Sequence, residues 1–206
     1  MDPVLNLSAA GLTNLSQIGS GSYGNVYSGV KDGNLVAVKY IPDDSGEQLL
    51  TSPVEIDIES RISNNYILRT QGVYFGSYLN LPGFINLMPF AQGTSRIIAF
   101  NNYTFENRMS FLRKSAEAMD CLHRAGILHL DLKVENILSQ SVVIHHEGKD
   151  YNILEPLVTD FSLSSAVKSI IDGKIIRGEV GTVKTRAPEH FIQYSGDKSQ
   201  TQIYRG

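Results

Sequence analysis

Between Ile127 and Leu138 the chain reads I-L-H-L-D-L-K-V-E-N-I-L, and no other stretch narrows the possible folds as far. Four polar side chains, His129, Asp131, Lys133 and Asn136, are set between Leu130, Leu132, Val134, Ile137 and Leu138. Alone, a short apolar run carrying charges reads as one edge strand. Four further stretches accompany it. Upstream are Gly19-Ser20-Gly21-Ser22-Tyr23-Gly24-Asn25-Val26 and Val36-Ala37-Val38-Lys39; downstream are Asp160-Phe161-Ser162 and Ala187-Pro188-Glu189. One G-x-G-x-x-G is a weak signal, whereas five landmarks in one order are a strong one.

The bulk numbers set outer limits. A chain of 206 residues can bury one sizeable core or form two lobes around a cleft. A net charge of -3 without a long Lys/Arg run argues against nucleic acid as a partner. The single cysteine, Cys121, excludes an internal disulfide framework and reads as a structural member of a helix. The opening M-D-P-V-L-N-L-S has no signal-like character, and no window approaches the roughly 18 apolar residues of a membrane span. The expectation is a soluble, intracellular protein, cytoplasmic with the nucleus open, and no membrane partner. No internal repeat is evident.

Local patterns predict strands over Leu15 to Gly19, Gly24 to Val30 and Leu35 to Tyr40, with Lys31-Asp32-Gly33-Asn34 as a hairpin turn. A helix is expected over Pro53 to Ser63, with Ile58 and Ile62 on one face. Gly72 to Ser77 and Gly83 to Met88 read as strands joined at Leu81-Pro82-Gly83. Phe105, Met109, Leu112, Ala116, Met119 and His123 recur every three or four residues, predicting a core helix from Thr104 to His123. Ser139 to Glu155 reads as a strand pair turning at Gly148-Lys149-Asp150, and the adjacent His145 and His146 would point opposite ways rather than share a metal.

The landmarks resemble the protein kinase family, from about Leu15 to His190. The resemblance implies an α+β, two-lobed fold. Its N-terminal lobe, five-stranded, would occupy 12–88, a hinge 89–93, and an incomplete, mainly helical C-terminal lobe 94–206. It also implies phosphoryl transfer from ATP, with Mg2+, to serine or threonine hydroxyls of a protein or peptide substrate. In that reading Gly19, Ser20, Gly21, Ser22, Tyr23, Gly24 and Val26 cover the nucleotide. The glycines would admit phosphates close to backbone N–H groups. Ala37, Lys39, Met88 and Phe90 would complete the nucleotide site, and Lys39 would be held by a helix glutamate. Glu55 fits the family spacing better than Glu59, four residues on and on the same side of the helix. Asp131 would accept or orient the proton of the attacking hydroxyl, Lys133 would neutralise transferring charge, and Asn136 and Asp160 would hold the metal. His129 would be internal support.

Several positions depart from the family pattern. Leu130 replaces a common arginine and cannot pair with a phosphate, so phosphorylation of Thr182, Thr185 or Ser169 is not expected to activate the chain by the common route. Ser162 stands where the family has glycine, restricting the backbone beside Asp160. Glu59 occupies an apolar packing position, where an unpaired carboxylate would loosen the helix. Thr182 is expected beside Asp131 and Lys133. Only 17 residues follow Glu189, which implies missing helices and a partner or second copy over the exposed face. The alternative reading is a kinase-derived nucleotide-binding or protein-interaction module with weak or no catalysis.

Overall fold

Three antiparallel strands begin the fold, in a computed structural model that describes residues 11–21, 24–42, 58–59, 61–78, 81–96, 103–166 and 181–185. They are β1 (Leu12–Gly21), β2 (Gly24–Lys31) and β3 (Asn34–Pro42). Between β2 and β3, Asp32 and Gly33 both take positive φ, 51° and 80°, while Lys31 faces Asn34. Such a two-residue turn matches the twist of its strands. Gly24 is required by a different constraint. Its φ is 122°, and a Cβ there would lie 2.0 Å from the Tyr40 carbonyl oxygen of β3.

Two more strands, β4 (Gly72–Tyr78) and β5 (Leu81–Pro89), complete a sheet in the order β1-β2-β3-β5-β4. The five-stranded expectation holds, but Leu81-Pro82-Gly83 is strand rather than turn. Pro82 pairs with Ser77 of β4, while β3 reaches only as far as Gly83. A residue lacking N–H is tolerated where it has a neighbour on one side alone. Leu12, Tyr27, Val36, Val38, Tyr40, Ile85 and Leu87 form the core of this lobe.

The chain leaves this sheet at Pro89 and joins another at β6 (Gly93–Thr94), which pairs with β8 (Ile137–His146). β8 runs into β9 (Lys149–Val158), and the turn falls at Glu147-Gly148, with φ of 49° and 73°. Lys149 and Asp150, expected in the turn, instead begin the strand. His145 pairs with Asp150 and His146 with Lys149 across the hairpin. A short pair, β7 (Ile127–Leu128) with β10 (Ser165–Ala166), brackets the loop between them.

Among the described residues, the second lobe is built on one long helix, α1 (Phe105–Arg124), whose bounds lie within a residue of expectation. Thr104 Oγ1 accepts the Asn107 N–H at 3.3 Å, and Gly126, at φ 71°, follows its end. The buried face differs from the predicted stripe. Phe105, Met109 and Leu112 are 72%, 48% and 59% exposed, whereas Phe111, Lys114, Ser115, Ala118 and Leu122 are buried. Pairing makes this mixed face packable. Lys114 bonds Glu155 of β9 and lies 5.4 Å from the Tyr66 ring centroid, while Ser115 Oγ donates to the Phe111 carbonyl at 2.9 Å. An apolar periodicity alone does not register such partners.

One cluster ties the parts together: Ile58, Ile62, Ile67, Ala118, Leu122, Ile127, Val158 and Phe161, with half-buried Cys121 packed against it. Burying each large apolar side chain contributes about 1.5–3 kcal/mol. Ile58, Glu59 and Arg61 are helical; Pro53 and Glu55 lie outside the described residues. Glu59, a cost to this packing only if unpaired, has a partner: its Oε2 accepts the Thr70 N–H at 2.5 Å. The result is the expected two-lobed α+β fold. Among the described residues no helix is long and apolar enough to cross a membrane.

Candidate active site

The loop after β7 is held from within by His129, which is 2% exposed. Its Nε2 lies 3.0 Å from the Thr159 carbonyl, and the Asp131 N–H points at Nδ1 at 3.3 Å. A carbonyl only accepts and an N–H only donates, so the ring carries its proton on Nε2 and is neutral. Burial, the largest influence, holds its pKa below the ordinary 6.5 against the opposing bond to Thr159 and the charge of Asp160. Ser164 Oγ donates to the His129 carbonyl at 3.1 Å, and the Phe161 ring is 5.3 Å away, centroid to centroid. His129 is therefore a brace.

The next residue, Leu130, has φ of 66°. That left-handed conformation costs a branched residue about 1–2 kcal/mol and turns Asp131 away from the strand direction. Gly181, at φ 83°, packs on this turn so closely that a Cβ would stand 2.4 Å from the Leu130 carbonyl oxygen. Thr182 is thereby placed over the loop. Its N–H donates to Asp131 Oδ1 at 2.7 Å. Lys133 Nζ donates to Asp131 Oδ2 at 2.6 Å and to Thr182 Oγ1 at 2.9 Å. Asn136, on a 3₁₀ turn, donates from Nδ2 to the Asp131 carbonyl at 2.9 Å and to Oδ2 at 3.2 Å.

These contacts set the charge states. Burial raises the Asp131 pKa, but the Lys133 ammonium and the Thr182 hydroxyl and N–H outweigh it and hold the carboxyl below its ordinary 3.8. Lys133 is raised above 10.5, chiefly by its bond to Asp131 and against its own desolvation. Outside this network, Ser95 Oγ donates to the Val134 carbonyl at 3.0 Å and Arg96 pairs with Glu135 at 2.5 Å, clamping the 3₁₀ turn.

Asp160 faces the loop from the other side, at φ 66°. Its Oδ1 lies 3.9 Å from Lys39 Nζ and accepts the Ser162 hydroxyl at 2.7 Å. The sheet register shows what surrounds Lys39. Val26 and Asn86 are its cross-strand partners, and Ala37, two residues back, faces Met88. Partners and alternate residues share a face, so Val26, Ala37, Met88 and Asn86 share that of Lys39. Gly19 faces Val26 in the first hairpin, and a Cβ there would meet Val26 only at 3.8 Å. Packing does not demand glycine at position 19.

Ser20, Gly21 and Gly24 lie on the same hairpin and Phe90 just beyond β5; Ser22, Tyr23 and Glu55 lie outside the described residues. Asn86, 1% exposed on the face of Lys39, was missed in sequence. Its signal was an amide within the apolar strand F-I-N-L-M.

Among the described residues no group of three or more His, Cys, Asp and Glu is arranged to hold a metal. Asn136 and Asp160 nevertheless suit a hard cation that takes further ligands from phosphate. The Asn136 amide nitrogen is committed to Asp131, which leaves its oxygen as the donor, and Asp160 offers a carboxylate.

Comparison with known proteins identifies the family. The family described as protein kinase domain matches residues 12–204. The chain is 31% identical over 130 residues to a serine/threonine-protein kinase of Dictyostelium discoideum, dst2, covering 60% of this chain and 11% of that protein. It is 28% identical over 189 residues to the dual specificity protein kinase shkB of the same organism, covering 88% and 27%. A probable receptor-like protein kinase of Arabidopsis thaliana is 29% identical over 205 residues, covering 92% and 42%. The chain thus spans less than half the length of each of these relatives.

Proposed function

This chain belongs to the protein kinase family, and from that premise we propose that it transfers the γ-phosphoryl group of ATP to serine or threonine hydroxyls of a protein substrate. The observation that carries the reading is the triangle of Asp131, Lys133 and Thr182, closed by contacts of 2.6, 2.7 and 2.9 Å. Asp131 is kept ionised, which makes it a strong hydrogen-bond acceptor and a weak base. It orients the attacking hydroxyl and accepts its proton as transfer proceeds. Lys133 holds a positive charge where a phosphoryl group would pass. When bound, Mg2+ would offset phosphate charge; Asp160 and the Asn136 amide oxygen would be its protein ligands, and Lys39, Gly19, Gly21 and Gly24 would receive the phosphates. The side chains of Val26, Ala37 and Met88, with the chain through Phe90, form the adenine site. Residues 12–88 and 94–206 act as the two lobes, hinged at 89–93, and Glu55 is the partner of Lys39.

The test is transfer of label from γ-labelled ATP to a mixed peptide library by the 206-residue chain, with Mg2+ and with excess chelator. Label on serine and threonine, lost on chelation, is the expected result. A folded, ATP-binding chain that transfers no label would instead be an interaction module.

Gly181 supplies a geometric check. In Gly181→Ala the new methyl meets the Leu130 carbonyl oxygen, which lies on backbone and cannot turn aside. Thr182 must shift off Asp131. A displacement of this kind is expected to lower kcat by about a hundredfold, and holding alanine at a positive φ costs about 1–2 kcal/mol, a fall in melting temperature of about 2–8 °C. Steady-state kinetics and a thermal melt measure both.

A further inference from the structure

We propose that Ser162 is a positioning residue that fixes the Asp160 carboxylate for a divalent cation; this rests on the reading of the cleft given above. The hydroxyl of Ser162 donates to Asp160 Oδ1 at 2.7 Å, and the same oxygen lies 3.9 Å from Lys39 Nζ. Glycine at position 162 would supply neither bond nor direction. The bond is charge-assisted, so it is stronger than one between neutral groups.

The backbone of the segment is pinned separately. Phe161 is 1% exposed within the cluster that contains Ile58, Ile62 and Leu122, and its ring rests on His129. Asp160 therefore has an anchored main chain in the left-handed region and a carboxylate whose rotation is the remaining freedom. Ser162 removes that freedom. With Oδ1 bonded to Ser162, Oδ2 is the oxygen left to meet the cation. The consequence of serine here is a metal ligand oriented before the metal arrives, where glycine would leave the orientation to the metal itself.

The experiment uses the full 206-residue chain and its Ser162→Ala and Ser162→Thr variants. Mn2+ serves as the probe, bound in the presence of a non-hydrolysable ATP analogue and followed by the electron paramagnetic resonance of free Mn2+. Affinity for the analogue without metal is measured in parallel. Ser162→Ala is expected to weaken Mn2+ binding by about tenfold and to leave metal-free nucleotide affinity unchanged. Ser162→Thr, which keeps the hydroxyl, is expected to bind Mn2+ like the parent chain. Equal Mn2+ affinity in the parent and Ser162→Ala would overturn the proposal and leave the cleft reading standing; so would a Thr variant as weak as the Ala variant. A parent chain that binds no Mn2+ with the nucleotide would overturn both.

Discussion

Asp131→Asn is expected to lower kcat for phosphoryl transfer by about a thousandfold with little change in the KM for ATP. Asparagine has nearly the same shape and can keep the Thr182 N–H bond. It loses the charge that Lys133 pairs with at 2.6 Å, and it cannot draw a proton from an incoming hydroxyl. A variant retaining more than about a tenth of the parent rate would remove Asp131 from the chemistry, since positioned proton acceptors contribute at least a hundredfold.

The pH dependence of the parent follows from the same pair. The folded pKa of Asp131 is depressed, so its stabilisation is fully present above the ordinary 3.8 and is lost as pH falls through the lower folded value. Lys133 is the opposite case. Its folded pKa is raised, so its stabilisation is present below 10.5 and is lost only as pH climbs through the higher folded value. Neither group titrates between those limits. A rate profile across neutral pH should therefore show no limb from either, and a limb that vanished in Asp131→Asn would contradict the assignment.

The second large effect is on stability. Lys114→Met is expected to destabilise the fold by about 3–5 kcal/mol, lowering the melting temperature on the order of 10 °C. The side chains of Lys114 and Glu155 are 11% and 16% exposed and bond each other across the packed face of α1 and β9. Removing the lysine leaves a buried carboxylate without its cation. The discriminating companion is Lys114→Met with Glu155→Met, in which neither charge remains. Because desolvating two ions costs about as much as their attraction returns, the double variant should recover most of the loss. Thermal melts of the two single variants and the double complete the cycle. A double variant as unstable as the sum of the singles would show that the pair acts through something other than mutual neutralisation.

This pair also shows where local reading stops. Phe105, Met109 and Leu112 carry the stronger apolar period, yet they face outward, and the buried face includes a lysine and a serine. The partner that makes Lys114 buriable is 41 residues away in sequence. Glu59 behaves in the same manner, since a backbone N–H at Thr70 pairs the carboxylate that looked misplaced. The turns expected at Leu81-Pro82-Gly83 and Gly148-Lys149-Asp150 both fall earlier in the chain for a related reason: pairing across the strands sets a boundary, and propensity only biases it.

Sequence alone determined the elements whose cause is local. Period-two runs and turn residues specified five strands of the first lobe, the capped run from Thr104 specified a 20-residue helix, and the spacing of His129, Asp131, Lys133 and Asn136 specified which polar groups one loop would carry. Tertiary structure decided everything that depends on a distant partner. It selected the buried face of α1, set the contact by which Thr182, expected beside Asp131, reaches it across 51 residues, and set Lys39 of the sheet against Asp160 of the other lobe. The physical reason is the range of the forces involved. Backbone sterics and side-chain period act within a turn or a strand, whereas the cost of burying a charge is settled by whichever group the completed fold places beside it.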